Sequence, residues 1–212
     1  MEDITNLCRI IYIYIYMGVK SMIYYDNDNI YNKLIDIFEE SNKNFIMENI
    51  HLFDYKASER SLCGCLMKNL YEVLNKTEFN SYYVDIEYNR NKGGKLKTLV
   101  KTINGLKNII INITCDLIIH SRGENIQNDN LIALEMKKSS RPDHEKDSDR
   151  ERLSCLTKSS YDDIWSYDGT TLPEHVCRYV LGVYYEIDFE KKLINIEYYR
   201  KGYMEREYHI KY

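Results

Sequence analysis

Residues 131–138 read LIALEMKK, and residues 108–120, upstream of them, read NIIINITCDLIIH. Both runs are dominated by β-branched and aliphatic residues, which pack well on a pleated surface, so each is expected to form a strand. The polar stretch 121–130 between them contains a Gly and predicts a hairpin-type connection. Side chains alternate faces along a strand, so Glu135 and Lys137 share one face, and Asp116 stands near the end of the neighbouring strand. Desolvating three such charges costs on the order of several kcal/mol each unless they pair or bind something. Two carboxylates about a strand apart are what a hard divalent cation asks for, with water and a substrate phosphate filling its other positions. Magnesium is the expected ion, with manganese as its substitute. A Lys beside it can orient or activate an attacking water and balance charge on a pentavalent phosphorane. The alternative is a salt-bridged sheet rim.

Apolar residues at three-to-four spacing mark a helix over 29–50 (Ile30, Leu34, Ile37, Phe38, Phe45, Ile46) and a second over 57–74 (Leu62, Cys65, Leu66, Leu70, Val73, Leu74). The period then changes to two in residues 81–89 (SYYVDIEYN), which predicts a strand with Asp85 and Glu87 on one face. After a charged loop, Ser148 with Glu151 makes a capping box, so a helix is expected from Ser148, its buried stripe running through Leu153 and Leu156 toward Tyr161 and Ile164. Residues 137–158 are charge-balanced and read as a mobile flank of the candidate site. Two last strands, 176–189 and 193–200, flank a turn at 190–192. That turn also reads Glu-Lys-Lys, which shows how little a lone ExK motif means without its surroundings.

The chain has 212 residues, 29 Lys+Arg and 33 Asp+Glu, giving a net charge of −4, with 44% hydrophobic residues. Those values place it among ordinary globular domains and exclude collagen, coiled-coil and disordered classes. The acidic balance argues against non-specific coating of nucleic acid. Basic residues nevertheless cluster in Arg90, Lys92, Lys95, Lys97, Lys101 and Lys107, with no acid between Tyr88 and Cys115; this segment either tracks a phosphate backbone or is a solvated hairpin. Six cysteines without paired spacing, and no secretory leader, are expected of a reduced cytoplasmic protein. The apolar run 10–19 is too short to cross a bilayer, so no membrane partner is expected. Residues 1–25 read as an N-terminal extension, with Met17 and Met22 as alternative starts, and 26–212 as one domain. The histidines His51, His144, His175 and His209 make no zinc spacing.

The helix, three strands, helix, strand order with Asp116 and Glu135-x-Lys137 resembles the PD-(D/E)XK, or restriction-endonuclease-like, nuclease superfamily over roughly residues 58–188. The segments ERSL (59–62), DIEYNR (85–90), CDLIIHSRG (115–123), LIALEMKKS (131–139) and DRERLSCLT (149–157) are similar to uncharacterised prokaryotic members. Cys115 stands where a Pro often precedes the first Asp. The resemblance implies an α/β fold with an αβββαβ core and mixed central sheet, here with an extra N-terminal helix and a C-terminal hairpin. It implies a magnesium-dependent endonuclease acting on nucleic acid, most readily DNA, in defence or DNA processing. Asp116, Glu135 and Lys137 would be catalytic; Glu59 would join Asp116, Glu135 and the Met136 carbonyl at the metal. His120 and Arg122 continue the Asp116 face by period two and would approach the phosphate, or else line a polar hairpin mouth. For Glu59 the alternative is a first-turn acid satisfying the helix dipole, worth about 0.3–1 kcal/mol. Cleavage of both strands of a duplex would favour a homodimer. Rival readings are a non-catalytic scaffold or DNA-binding subunit with a nuclease fold, and an interaction protein docking through its first helix.

Overall fold

Apolar residues four apart build the first layer. Helix α1 (Asn27–Asp54) buries Ile30, Leu34, Phe38 and Phe45 on one side. It bends at Asn49 (φ −121°, ψ 22°), whose side-chain amide donates to the Phe45 carbonyl at 2.9 Å and competes with the helical ladder there. Helix α2 (Glu59–Leu74) starts at Ser58, whose hydroxyl accepts the Ser61 N–H at 3.1 Å. Leu62, Leu66, Leu70 and Leu74 are fully buried along it, each stabilising the fold by about 1.5–3 kcal/mol.

The computed structural model describes residues 27–87, 98–103, 107–112, 114–125, 128–159, 164–166 and 177–212. After α2 come β1 (Tyr83–Ile86), β2 (Thr98–Ile103), β3 (Lys107–Asn112), β4 (Leu117–His120) and β5 (Asn130–Lys138). Helix α3 (Asp143–Leu156), β6 (Ile164–Ser166), β7 (Leu181–Asp188), β8 (Leu193–Arg200) and β9 (Tyr203–Lys211) complete the order. A six-stranded mixed sheet runs β1-β4-β5-β7-β8-β9, antiparallel throughout except for the parallel pair β5 and β7, which α3 and β6 separate in sequence. A second sheet runs β3-β2-β6. The fold is therefore mixed α/β, and none of the described helices is long and apolar enough to cross a membrane.

Both faces of the large sheet are covered, which is why its central strands read as nearly continuous apolar runs. Leu117, Ile119, Leu134, Met136, Val183, Tyr185, Ile194 and Ile196 pack with α1 and α2. The alternate residues Ile118, Ala133, Tyr184 and Tyr199 pack with Leu153 and Leu156 of α3. Strand parity therefore places Glu135 and Lys137 under α3.

Four expectations need correction. Helix α3 begins at Asp143 with Pro142 at its N-cap, five residues before the Ser148 capping box. Proline sets the backbone angle needed at the boundary, and the first-turn acids Asp143 and Glu145 favour the positive end of the helix. Most of the stretch read as a mobile flank is consequently helix. That helix ends at Leu156, where the Thr157 hydroxyl returns to the Leu153 carbonyl at 2.9 Å, and Ile164 sits in β6 instead of extending the helical stripe. The run 108–120 divides between β3 and β4, in different sheets, with Asn112 closing the first apolar stretch and Asp116 preceding the second, both poor strand formers. Strand β9 was not foreseen; its charged residues are those of an exposed sheet edge, and Lys201 and Gly202, with φ 51° and 89°, turn the chain into it. The expected extension 1–25 and residue Tyr161 lie outside the described residues.

Candidate active site

Strand β4 leaves β5 at the Leu117–Leu134 pair. Just before it, Asp116 turns its carboxylate onto the abandoned edge, and Oδ2 accepts the Met136 N–H at 2.8 Å. Two residues on, the Lys138 N–H donates to Glu59 Oε1 at 3.0 Å. The N–H and C=O of a strand residue face the same side, so the Met136 carbonyl faces this edge beside Asp116. The Ser58 cap fixes where α2 starts and hence where Glu59 stands; Arg141 also donates to Glu59, through Nε at 3.2 Å and Nη2 at 3.3 Å.

Beneath α3 the charges converge. Glu135 is 1% exposed, and its Oε1 lies 2.5 Å from Arg152 Nη1. The same nitrogen reaches Asp149 Oδ1 at 3.0 Å, and Asp149 Oδ2 lies 3.0 Å from Lys137 Nζ. Three carboxylates thus face two cationic side chains. Burial pushes the Glu135 carboxyl up to about 8; Arg152 opposes this, while Asp116 and Asp149 add to it. Burial also raises Asp116, with Asp149 and Glu59 adding and the Met136 N–H and Lys137 opposing. Glu59 goes the other way: burial would raise it, but the bonds from Arg141 and the Lys138 N–H outweigh that and lower it. Burial would lower Lys137, yet its bond to Asp149 and the nearby acids raise it, so it stays protonated. Lys137 is placed to act as a fixed positive charge and not as a proton acceptor.

The donors suit a magnesium or manganese ion in kind, since the Asp116 and Glu135 carboxylates and the Met136 carbonyl are all oxygen. Acids that repel one another out of water also gain from an added cation. Among the described residues no three His, Cys, Asp or Glu side chains are yet arranged as a metal-binding group, and Glu135 is engaged by Arg152.

Asp116, Glu135 and Lys137 are thus brought together, with Glu59 next to them on the β5 edge. His120 and Arg122 are not. They share the Asp116 face but stand about 13 Å and more along the strand, where both hold Asp85: His120 Nε2 lies 2.8 Å from Oδ2, Arg122 Nε 2.9 Å from Oδ2 and Arg122 Nη2 2.5 Å from Oδ1. In this ion cluster His120 is 1% exposed, while the Arg122 side chain is 42% exposed. Arg90, Lys92, Lys95 and Lys97 lie outside the described residues. Sequence reading missed Asp149 and Arg152. The signal was present: Asp149, Leu153 and Leu156 fall on one stripe at spacings of four and three, with Arg152 one turn from Asp149, so two charges occupy a face that must be buried. No family model matches the chain, and neither curated proteins nor solved structures show a significant match to it.

Proposed function

We propose that the chain is a magnesium-dependent nuclease of the PD-(D/E)XK kind, hydrolysing phosphodiester bonds of nucleic acid, with DNA as the preferred substrate. The observation that carries this reading is the convergence of Asp116, Glu135 and Lys137 on one face where β4 parts from β5. The order helix, three antiparallel strands, helix, parallel strand from α2 to β7, interrupted by the β2–β3 hairpin and by β6, agrees with that superfamily's core. A bound divalent cation supplies charge neutralisation and a more acidic water. Asp116, Glu135 and the Met136 carbonyl hold it, with Glu59 beside them. Lys137, kept protonated and aimed by Asp149, stabilises charge developing on the phosphate. The sheet and α3 exclude water from the buried side of the site.

The test is nicking of supercoiled plasmid with magnesium, with manganese and with chelator. Metal-dependent nicking that drops at least about 100-fold in Lys137→Ala and Asp116→Ala supports the reading. Absence of cleavage on duplex, single-stranded and RNA substrates, with no cation binding by calorimetry, refutes it. One observation favours a second reading, a nuclease fold retained as a scaffold or nucleic-acid-binding subunit: Glu135 is already engaged by Arg152. Binding of duplex DNA without turnover or cation dependence would select it.

A further inference from the structure

We propose that Arg152 is an internal counter-ion for Glu135 that a divalent cation must displace before the site can work. This rests on the cation-dependent reading above. A carboxylate as buried as Glu135 needs a positive partner, and Arg152 Nη1 at 2.5 Å is that partner. The pairing is built to be released. One nitrogen, Nη1, serves both Glu135 and Asp149, while Arg152 Nε is buried without a hydrogen-bond partner among the described residues. A tight arginine–carboxylate pair uses two parallel N–H bonds. The same helix shows that form: Arg150 engages Glu197 through Nε at 2.9 and 3.1 Å and through Nη2 at 2.8 Å.

Asp149 gives the guanidinium somewhere to go. It lies one helical turn from Arg152, so Arg152 can let Glu135 go and keep its bond to Asp149 without any movement of α3. Arg152 and the cation are therefore alternative partners of Glu135, and the site closes on itself when the cation is absent.

The experiment is calorimetric titration of the full chain with Mn²⁺, wild type beside Arg152→Gln, with circular dichroism to verify folding. Arg152→Gln binding Mn²⁺ about tenfold or more tightly than wild type supports the proposal, and so does binding by the variant alone. Equal or weaker binding by a folded variant overturns it and leaves the nuclease reading intact. Absence of binding by both proteins overturns it together with the cation dependence of that reading. Should Arg152→Gln not fold, the wild-type protein provides the test through NMR of the Arg152 Nε–H signal, identified by its loss in Arg152→Lys. A signal that moves in step with Mg²⁺ titration supports displacement; one that stays fixed at saturating Mg²⁺ overturns it.

Discussion

Replacing Asp85 with Asn separates the ion cluster at the far end of β4 from the candidate site. Asp85 is 17% exposed, and burial alone would raise its carboxyl; the bonds from His120 and Arg122, with the guanidinium's charge, outweigh burial and hold it down at about 2. The fall from 3.8 to about 2 corresponds to about 2 kcal/mol of folding stability. Because the folded value is the lower one, that stability is present above pH 3.8 and is lost as pH falls toward 2. Asp85→Asn should therefore unfold about 2 kcal/mol more easily in urea at pH 7, a drop of about 4–8 °C in Tm at this chain length. The gap should shrink through pH 3 as the wild-type carboxylate protonates. Nicking by the folded variant should be unchanged, because the Asp85 carboxylate is taken up by His120 and Arg122. A pH-independent difference below about 0.5 kcal/mol, or lost DNA affinity at full stability, would falsify the structural assignment of His120 and Arg122.

Glu135→Gln should lose nicking yet, without cation, match or exceed wild-type urea resistance at pH 9. The folded wild type binds a proton more tightly than the unfolded chain, so its stability falls as pH rises from 4.5 through about 8, and the two proteins should converge near pH 5. Gly182→Ala brings a Cβ within 2.9 Å of Thr157 Cγ2 and Tyr199 Cβ, and should cost about 1–3 kcal/mol in chemical denaturation; a neutral result would show that α3 moves off β7 easily. Ser58→Ala removes the hydroxyl that accepts the Ser61 N–H and should cost about 1 kcal/mol, with reduced nicking because α2 then frays at Glu59; unchanged activity at reduced stability would remove Glu59 from the site.

The elements legible in the sequence are those with a clear period and a clear boundary. Leu62, Leu66 and Leu70 announce α2, and Ser58 marks its start. Residues 131–138 announce β5 because both of its faces are buried. Pairing partners were less legible, since the division of 108–120 between two sheets depends on which neighbour each half finds. Strand β9 was hidden because an exposed edge has no reason to be apolar. Asp116, Glu135 and Lys137 could be read from parity and strand order. Asp149 and Arg152 are less legible, because a helix starting at Ser148 places Asp149 in its first turn, where the helix dipole already accounts for an acid.

Ion networks as buried as this one have two physical explanations, and they predict opposite responses to the same change. A structural network should lose about 3–5 kcal/mol when one partner is removed, because the other charge is stranded. A site held ready for a ligand already contains the unfavourable charge, so removing it relieves the fold. Arg150 with Glu197 has the geometry of the first kind, with two nitrogens on one carboxylate. Glu135 has the second kind: one shared nitrogen, two neighbouring acids and a carboxyl pushed up to about 8. The contrast within a single helix is the reason to expect stability and activity to move in opposite directions at Glu135.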